Sequence, residues 1–240
     1  PHSLLPTPYS LIMLYIVSTP IGNLKDITLR AIETLKAVDL IAAEDTRHTG
    51  ILCKEYDITA PLTSFFEHNE SFKAAQLLSL LKEGKNVALV SDAGTPGISD
   101  PGYRLIRLAK EQNIPMTVIP GPAACITALT LSALPSDQFT FRGLLPVKSG
   151  ARRKVLETLK GSTGTSIFYE SVHRIVKSLK DIEEVLGDPV IVVTRELTKK
   201  FEERLEGKAS ALYGHFSKHK PLGEFVVLLP ALSGRDERLS

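Results

Sequence analysis

The chain has 240 residues, 43% hydrophobic and 23% charged, enough to bury a sizeable core and too apolar for a disordered segment. Its net charge is only +2, with 11 basic against 13 acidic residues in 1–136 and 18 against 14 in 137–240. A mildly basic second half permits nucleic-acid contact without demanding it. Cys53 and Cys125 lie far apart with no CxxC motif or histidine cluster, which suggests neither a metal site nor a disulfide framework and predicts buried thiols in a cytoplasmic protein.

No apolar run approaches the roughly 20 residues of a membrane span. The start, SLLPTPYSLIMLYIV, is broken by prolines and lacks a basic leader segment, so residues 1–13 read as an irregular lead-in. Apolar, β-prone runs then follow at 14–19 (LYIVST), 40–45 (LIAAED), 62–66 (LTSFF), 86–92 (NVALVSD) and 116–121 (MTVIPG). Between them, Ile27, Leu29, Ile32, Leu35 and Val38 mark one helix. Phe72, Leu77, Leu80 and Leu81 mark another, with Gly84 at its end. Near-continuous apolar strands alternating with helices predict a mainly parallel sheet covered on both faces.

After Pro120-Gly121-Pro122 a second series begins: a helix over 122–135, then FTFRGLL, TSIFYES, PVIVVTREL and GEFVVLLP, with helices such as VHRIVKSLKDIEEVLG between them. The expected organisation is an N-terminal α/β domain at 1–120 and a C-terminal α/β domain at 121–240. KSGARRKV at 148–155 is the most basic segment. It reads either as an exposed helix start or as a phosphate-contacting loop carrying Arg152, Arg153 and Lys154.

In an open parallel sheet, ligands bind beyond the carboxyl ends of the strands. The segments there are STPIGNLKD, AEDTRHTG, EHNE, SDAGTPGISDPG and PGPAA. None carries GxGxxG or GxxxxGK[ST], and Asp92 and Asp100 in the fourth would repel phosphate. That acidic, backbone-rich loop suits hydroxyls and a cation, as in a nucleoside-like cofactor, or else its glycines serve turns alone. Glu44, Asp45 and Arg47 form an ion pair that shapes the site, or hold substrate. His48 and His68 are acid–base groups or plain surface histidines.

The ordered series YIVSTPIGNLKDITLRA, AEDTR, SFFEHNE, LVSDAGTPGISDPG, VIPGPAA, FYES-HR, RELTKKFEE and GEFVVLL, spanning about Leu14 to Pro230, resembles the RNA-modifying branch of the tetrapyrrole methylase superfamily. The similar proteins are bacterial small-subunit ribosomal RNA methyltransferases. The resemblance implies two α/β domains of tetrapyrrole methylase type with S-adenosyl-L-methionine in the cleft between them, in a cytoplasmic homodimer without membrane contact. It implies methylation of the ribose 2′-hydroxyl of a cytidine in the decoding region of 16S rRNA, within the small ribosomal subunit. Where tetrapyrrole methylases have a GxGPGD-type loop, this chain has STPIGN, which favours RNA over a porphyrinoid.

By the same resemblance Pro20, Asp92, Ala93, Gly94, Ala123 and Ala124 line the cofactor site, with Tyr169, Glu170, Leu197 and Gly223 from the C-terminal half. Asp45 or His68 is expected to accept the hydroxyl proton and Arg47 to position ribose or phosphate. Phe65, Phe66 and Tyr103 are stacking candidates, and Arg104, Arg142, Arg152, Arg153, Lys154 and Arg174 phosphate candidates. Longer relatives extend further past LLP, so an accessory RNA-binding tail is not expected. A porphyrinoid methylase and a non-catalytic RNA-binding assembly factor stay open as alternatives.

Overall fold

The computed structural model describes residues 13–233; the expected lead-in up to residue 12 and the chain beyond 233 lie outside the described residues. The chain divides between Ala123 and Ala124 into two units.

The first unit holds strands β1 (Leu14–Val17), β2 (Leu40–Ala43), β3 (Leu62–Ser64), β4 (Val87–Val90) and β5 (Met116–Ile119) in the order β3-β2-β4-β1-β5, all parallel. Helices α1 (Leu29–Ala37), α2 (Thr46–Glu55), α3 (Glu70–Lys82) and α4 (Tyr103–Glu111) cover it. Every residue of β1 and β4 is buried, because each strand sends alternate side chains into two separate cores. Tyr15, Val17, Ile41, Ala43, Ala88 and Val90 meet Ala31 and Leu35 of α1 and Leu52 of α2. Leu14, Ala42, Val87 and Leu89 meet Ala74, Leu77 and Leu81 of α3 and Leu105 and Ala109 of α4.

The connections leaving the central strands therefore diverge. β1 and β2 feed helices on one face, while β4, which lies between them, feeds α4 on the other. The crevices beside the end of β4 are where such sheets take ligands.

The second unit has α5 (Ala124–Ser132), β6 (Phe139–Leu144), α6 (Ser149–Glu157), β7 (Thr165–Ser171), α7 (Ile175–Leu186), β8 (Val190–Arg195), β9 (Glu203–Lys208), α8 (Ala209–Lys218) and β10 (Glu224–Leu229). Its sheet runs β6-β7-β10-β8-β9, and only the β6–β7 pair is parallel. The parallel pattern of the first unit thus does not extend here. β9, with the sequence ERLEGK, forms an edge strand whose charges mask it as a strand in the sequence. Phe168, Val193, Phe225 and Val227 pack with Leu156, Leu179, Ile182, Leu212 and Phe216 in one core. Both cysteines are free and buried.

Candidate active site

The loops after β1 and β4 are stitched together. Thr19 N–H donates to Gly94 C=O (2.9 Å) and Gly94 N–H to Thr19 C=O (3.1 Å). Thr19 Oγ1 donates to Ser91 C=O (3.0 Å), and Ser18 Oγ lies 2.9 Å from Thr95 Oγ1. Gly94 makes this pairing at φ +81°, a left-handed backbone that side-chain-bearing residues rarely adopt. Pro20 is buried, Asp92 half-buried and Ala93 exposed. At Gly121 a Cβ would lie 2.9 Å from Ser18 Cβ, so the chain after β5 can pass this close to the first loop only because that Cβ is missing.

β2 joins from the other side. Asp45 N–H donates to Asp92 Oδ1 (3.0 Å), and Asp92 N–H donates to Glu44 Oε2 (3.3 Å). Asp45 caps α2, accepting Arg47 N–H (2.8 Å), and grips the Arg47 guanidinium through Nε (3.1 Å) and Nη2 (2.7 Å). The expectation of an ion pair among these residues is met by Asp45–Arg47. Hydrogen bonds from the Arg47 side chain and backbone hold the Asp45 carboxyl well below the usual carboxylate range. Glu44 behaves oppositely. Burial pushes its carboxyl up, and the nearby Asp92 and Asp45 charges add to that, against the Asp92 N–H and His48, which lower it.

His68 stands apart, exposed in the turn before α3 with its ring 6.4 Å from Phe66 and edge-on to it. Phe65 is 1% exposed and belongs to the core, so it is not a stacking residue; Phe66 and Tyr103 are exposed. Helix α4, after the Gly-rich loop, has Gly102 at its N-cap, a residue with no side chain to cap it. Glu70 Oε1 accepts the N–H groups of Gly102 (3.2 Å) and Arg104 (3.1 Å). The turn before α4 closes at Gly97, whose N–H donates to Pro101 C=O (3.2 Å).

In the second unit the Tyr169 hydroxyl accepts Cys125 N–H (3.1 Å), next to Ala124, and its ring packs on Phe141 with centroids 4.7 Å apart. Glu170 is buried, paired with Arg174 (2.8 Å) and accepting from Ser178 Oγ (2.5 Å). Leu197 is buried in the turn after β8. Gly223 leaves room for Glu196, whose Oε1 accepts Glu224 N–H (3.1 Å) and Lys199 Nζ (3.0 Å). Arg152 is 3% exposed, bonded to Asp181 (2.6 Å) and to the carbonyls of Pro146 and Val147. It is a core cation, not a phosphate contact. Arg153 pairs with Asp181 and Glu184, whereas Arg142 and Lys154 are exposed.

Comparisons with known proteins follow the same line. The family model for tetrapyrrole (corrin/porphyrin) methylases matches residues 13–213. The chain belongs to the tetrapyrrole methylase family. It is similar to the ribosomal RNA small subunit methyltransferase I of Escherichia coli O157:H7, 49% identical over 94% of this chain and 80% of that protein. The Thermotoga maritima protein of the same name is 48% identical over 90% of this chain and 97% of its own. Among solved structures, a cobalt precorrin-4 methyltransferase superposes with a TM-score of 0.69 at 18% identity, covering 96% of this chain and all of the other. That likeness shows the family's fold.

Among the described residues no group of three or more metal-ligating side chains gathers, and no helix is long and apolar enough to cross a membrane. The residues present fit a nucleoside-type methyl donor. Ala93 is exposed beside the stitched pair, and the Asp92 and Glu44 carboxylates suit hydroxyls and positive charge. The sequence leaves Glu44 inside a general ion-pair reading; in the structure it bonds Asp92 N–H rather than Arg47, and its position directly after β2 is the available signal.

Proposed function

We propose that this protein is a small-subunit ribosomal RNA methyltransferase that transfers a methyl group from S-adenosyl-L-methionine to the ribose 2′-hydroxyl of a cytidine in the decoding region of 16S rRNA. The observation that carries the reading is the Thr19–Gly94 pairing at the divergent end of β4, in a chain 48–49% identical to proteins named for rRNA methylation. The working form is taken to be a cytoplasmic homodimer, as the family resemblance implies.

The methyl donor, when bound, supplies an electrophilic methyl on a sulfonium. The backbone of Asp92, Ala93 and Gly94, with Pro20 and Ala123, would hold it in the first unit. Ala124, Tyr169, Leu197 and Gly223 are proposed contacts of the second unit, while Glu170 is assigned to anchoring Arg174 at the start of α7. Arg47, exposed and oriented by Asp45, positions the ribose or phosphate of the RNA. Asp45, held ionised by Arg47, is a poor proton acceptor. Glu44, with its raised basicity, serves better, and His68 is the competing acceptor.

Calorimetry tests the cofactor assignment. S-adenosyl-L-methionine is expected to bind the wild-type protein, and Asp92→Ala to weaken it about tenfold or more by freeing the Asp45 N–H. Absence of binding to the wild type would leave only the assembly-factor reading.

A further inference from the structure

We propose that the exposed rings of Phe66, Phe72 and Tyr103, with the Arg104 guanidinium, form a stacking face for unpaired bases of single-stranded RNA flanking the target nucleotide. The assignment rests on the reading of the substrate as RNA. Phe66 lies in the turn after β3, Phe72 in the first turn of α3, and Tyr103 begins α4; they are 39%, 68% and 68% exposed. Exposed aromatic rings gathered on adjoining helix starts are a departure from the core role such residues usually take.

One carboxylate ties them into a common surface. Glu70, in the same turn of α3 as Phe72, accepts the N–H groups on either side of Tyr103. Both helices begin beyond the carboxyl ends of the strands they follow, the same sheet edge that carries the stitched loops after β1 and β4. Arg104 makes no ion pair or side-chain hydrogen bond among the described residues, so its cation is available. Arg107, one turn further along α4, pairs with Glu111 (2.8 Å).

Stacking, more than phosphate attraction, is the chemistry on offer. Glu67 is exposed in the Phe66 turn, and Lys73 is engaged with Thr63 (3.2 Å), so the face is not strongly basic. Aromatic faces take bases whose π surfaces are uncovered, which singles out unpaired RNA over a duplex.

The test is fluorescence anisotropy with a fluorescein-labelled single-stranded RNA dodecamer at fixed salt, alongside calorimetry with S-adenosyl-L-methionine and sedimentation. Phe72→Ala/Tyr103→Ala is expected to weaken RNA binding about 20-fold or more, from the loss of two stacked bases. Tyr103→Phe and Tyr103→Trp should stay within about twofold of wild type, because they keep the ring. Cofactor affinity should be unchanged. RNA affinity within twofold of wild type in the double variant would overturn the proposal. So would a fall in its sedimenting mass relative to wild type, which would make the face a contact between copies of the chain. Failure of the wild type to methylate subunits would count against the methyltransferase reading, whereas the anisotropy comparison decides the face on its own.

Discussion

Glu44 and Asp45 are neighbours in the chain with opposite electrostatic surroundings. Asp45 faces the Arg47 guanidinium and its N–H, while Glu44 is half-buried beside two other carboxylates. A base must be deprotonated to act, so methyl transfer should rise with pH through the raised value of Glu44. Glu44→Gln keeps an acceptor for Asp92 N–H but removes the proposed base. Single-turnover methylation should fall about 100-fold and lose its acidic limb. An acidic limb intact in Glu44→Gln and absent in His68→Ala would assign the proton to His68 instead.

At the scale of elements, Arg152 shows what a linear pattern conceals. Three consecutive basic residues at 152–154 read as a surface run. Helix α6 nevertheless turns Arg152 inward to Asp181, 29 positions later on α7, and only tertiary packing reveals the partner. Breaking such a buried pair costs about 3–5 kcal/mol, because the remaining charge is stranded. Arg152→Ala should therefore lower the denaturation midpoint strongly and leave the salt dependence of RNA binding unchanged. A stable variant with a flatter salt slope would restore the phosphate role. The buried strands β1, β4 and β10 were legible because uninterrupted apolar residues have few other places to go. β9 was not, since edge strands are charged by design, and neither was α2, whose Thr-Arg-His-Thr-Gly start reads as loop. The capping of α4 by Glu70 joins residues over 30 positions apart and left no local trace.

For the molecule as a whole, the loops after β1, β2 and β4 were found at the ligand edge from the sequence. Their hydrogen-bonded order, Thr19 to Gly94 and Asp45 to Asp92 to Glu44, required the strand order β3-β2-β4-β1-β5. In the proposed reading, that one sheet edge holds the donor and orients the acceptor. Incubation with methyl-labelled S-adenosyl-L-methionine, comparing isolated small ribosomal subunits, naked 16S rRNA and a porphyrinoid, tests this most directly. The account predicts label in the RNA at the 2′-oxygen of a decoding-region cytidine and none in the porphyrinoid. Label in the porphyrinoid alone, or in no acceptor, would contradict it.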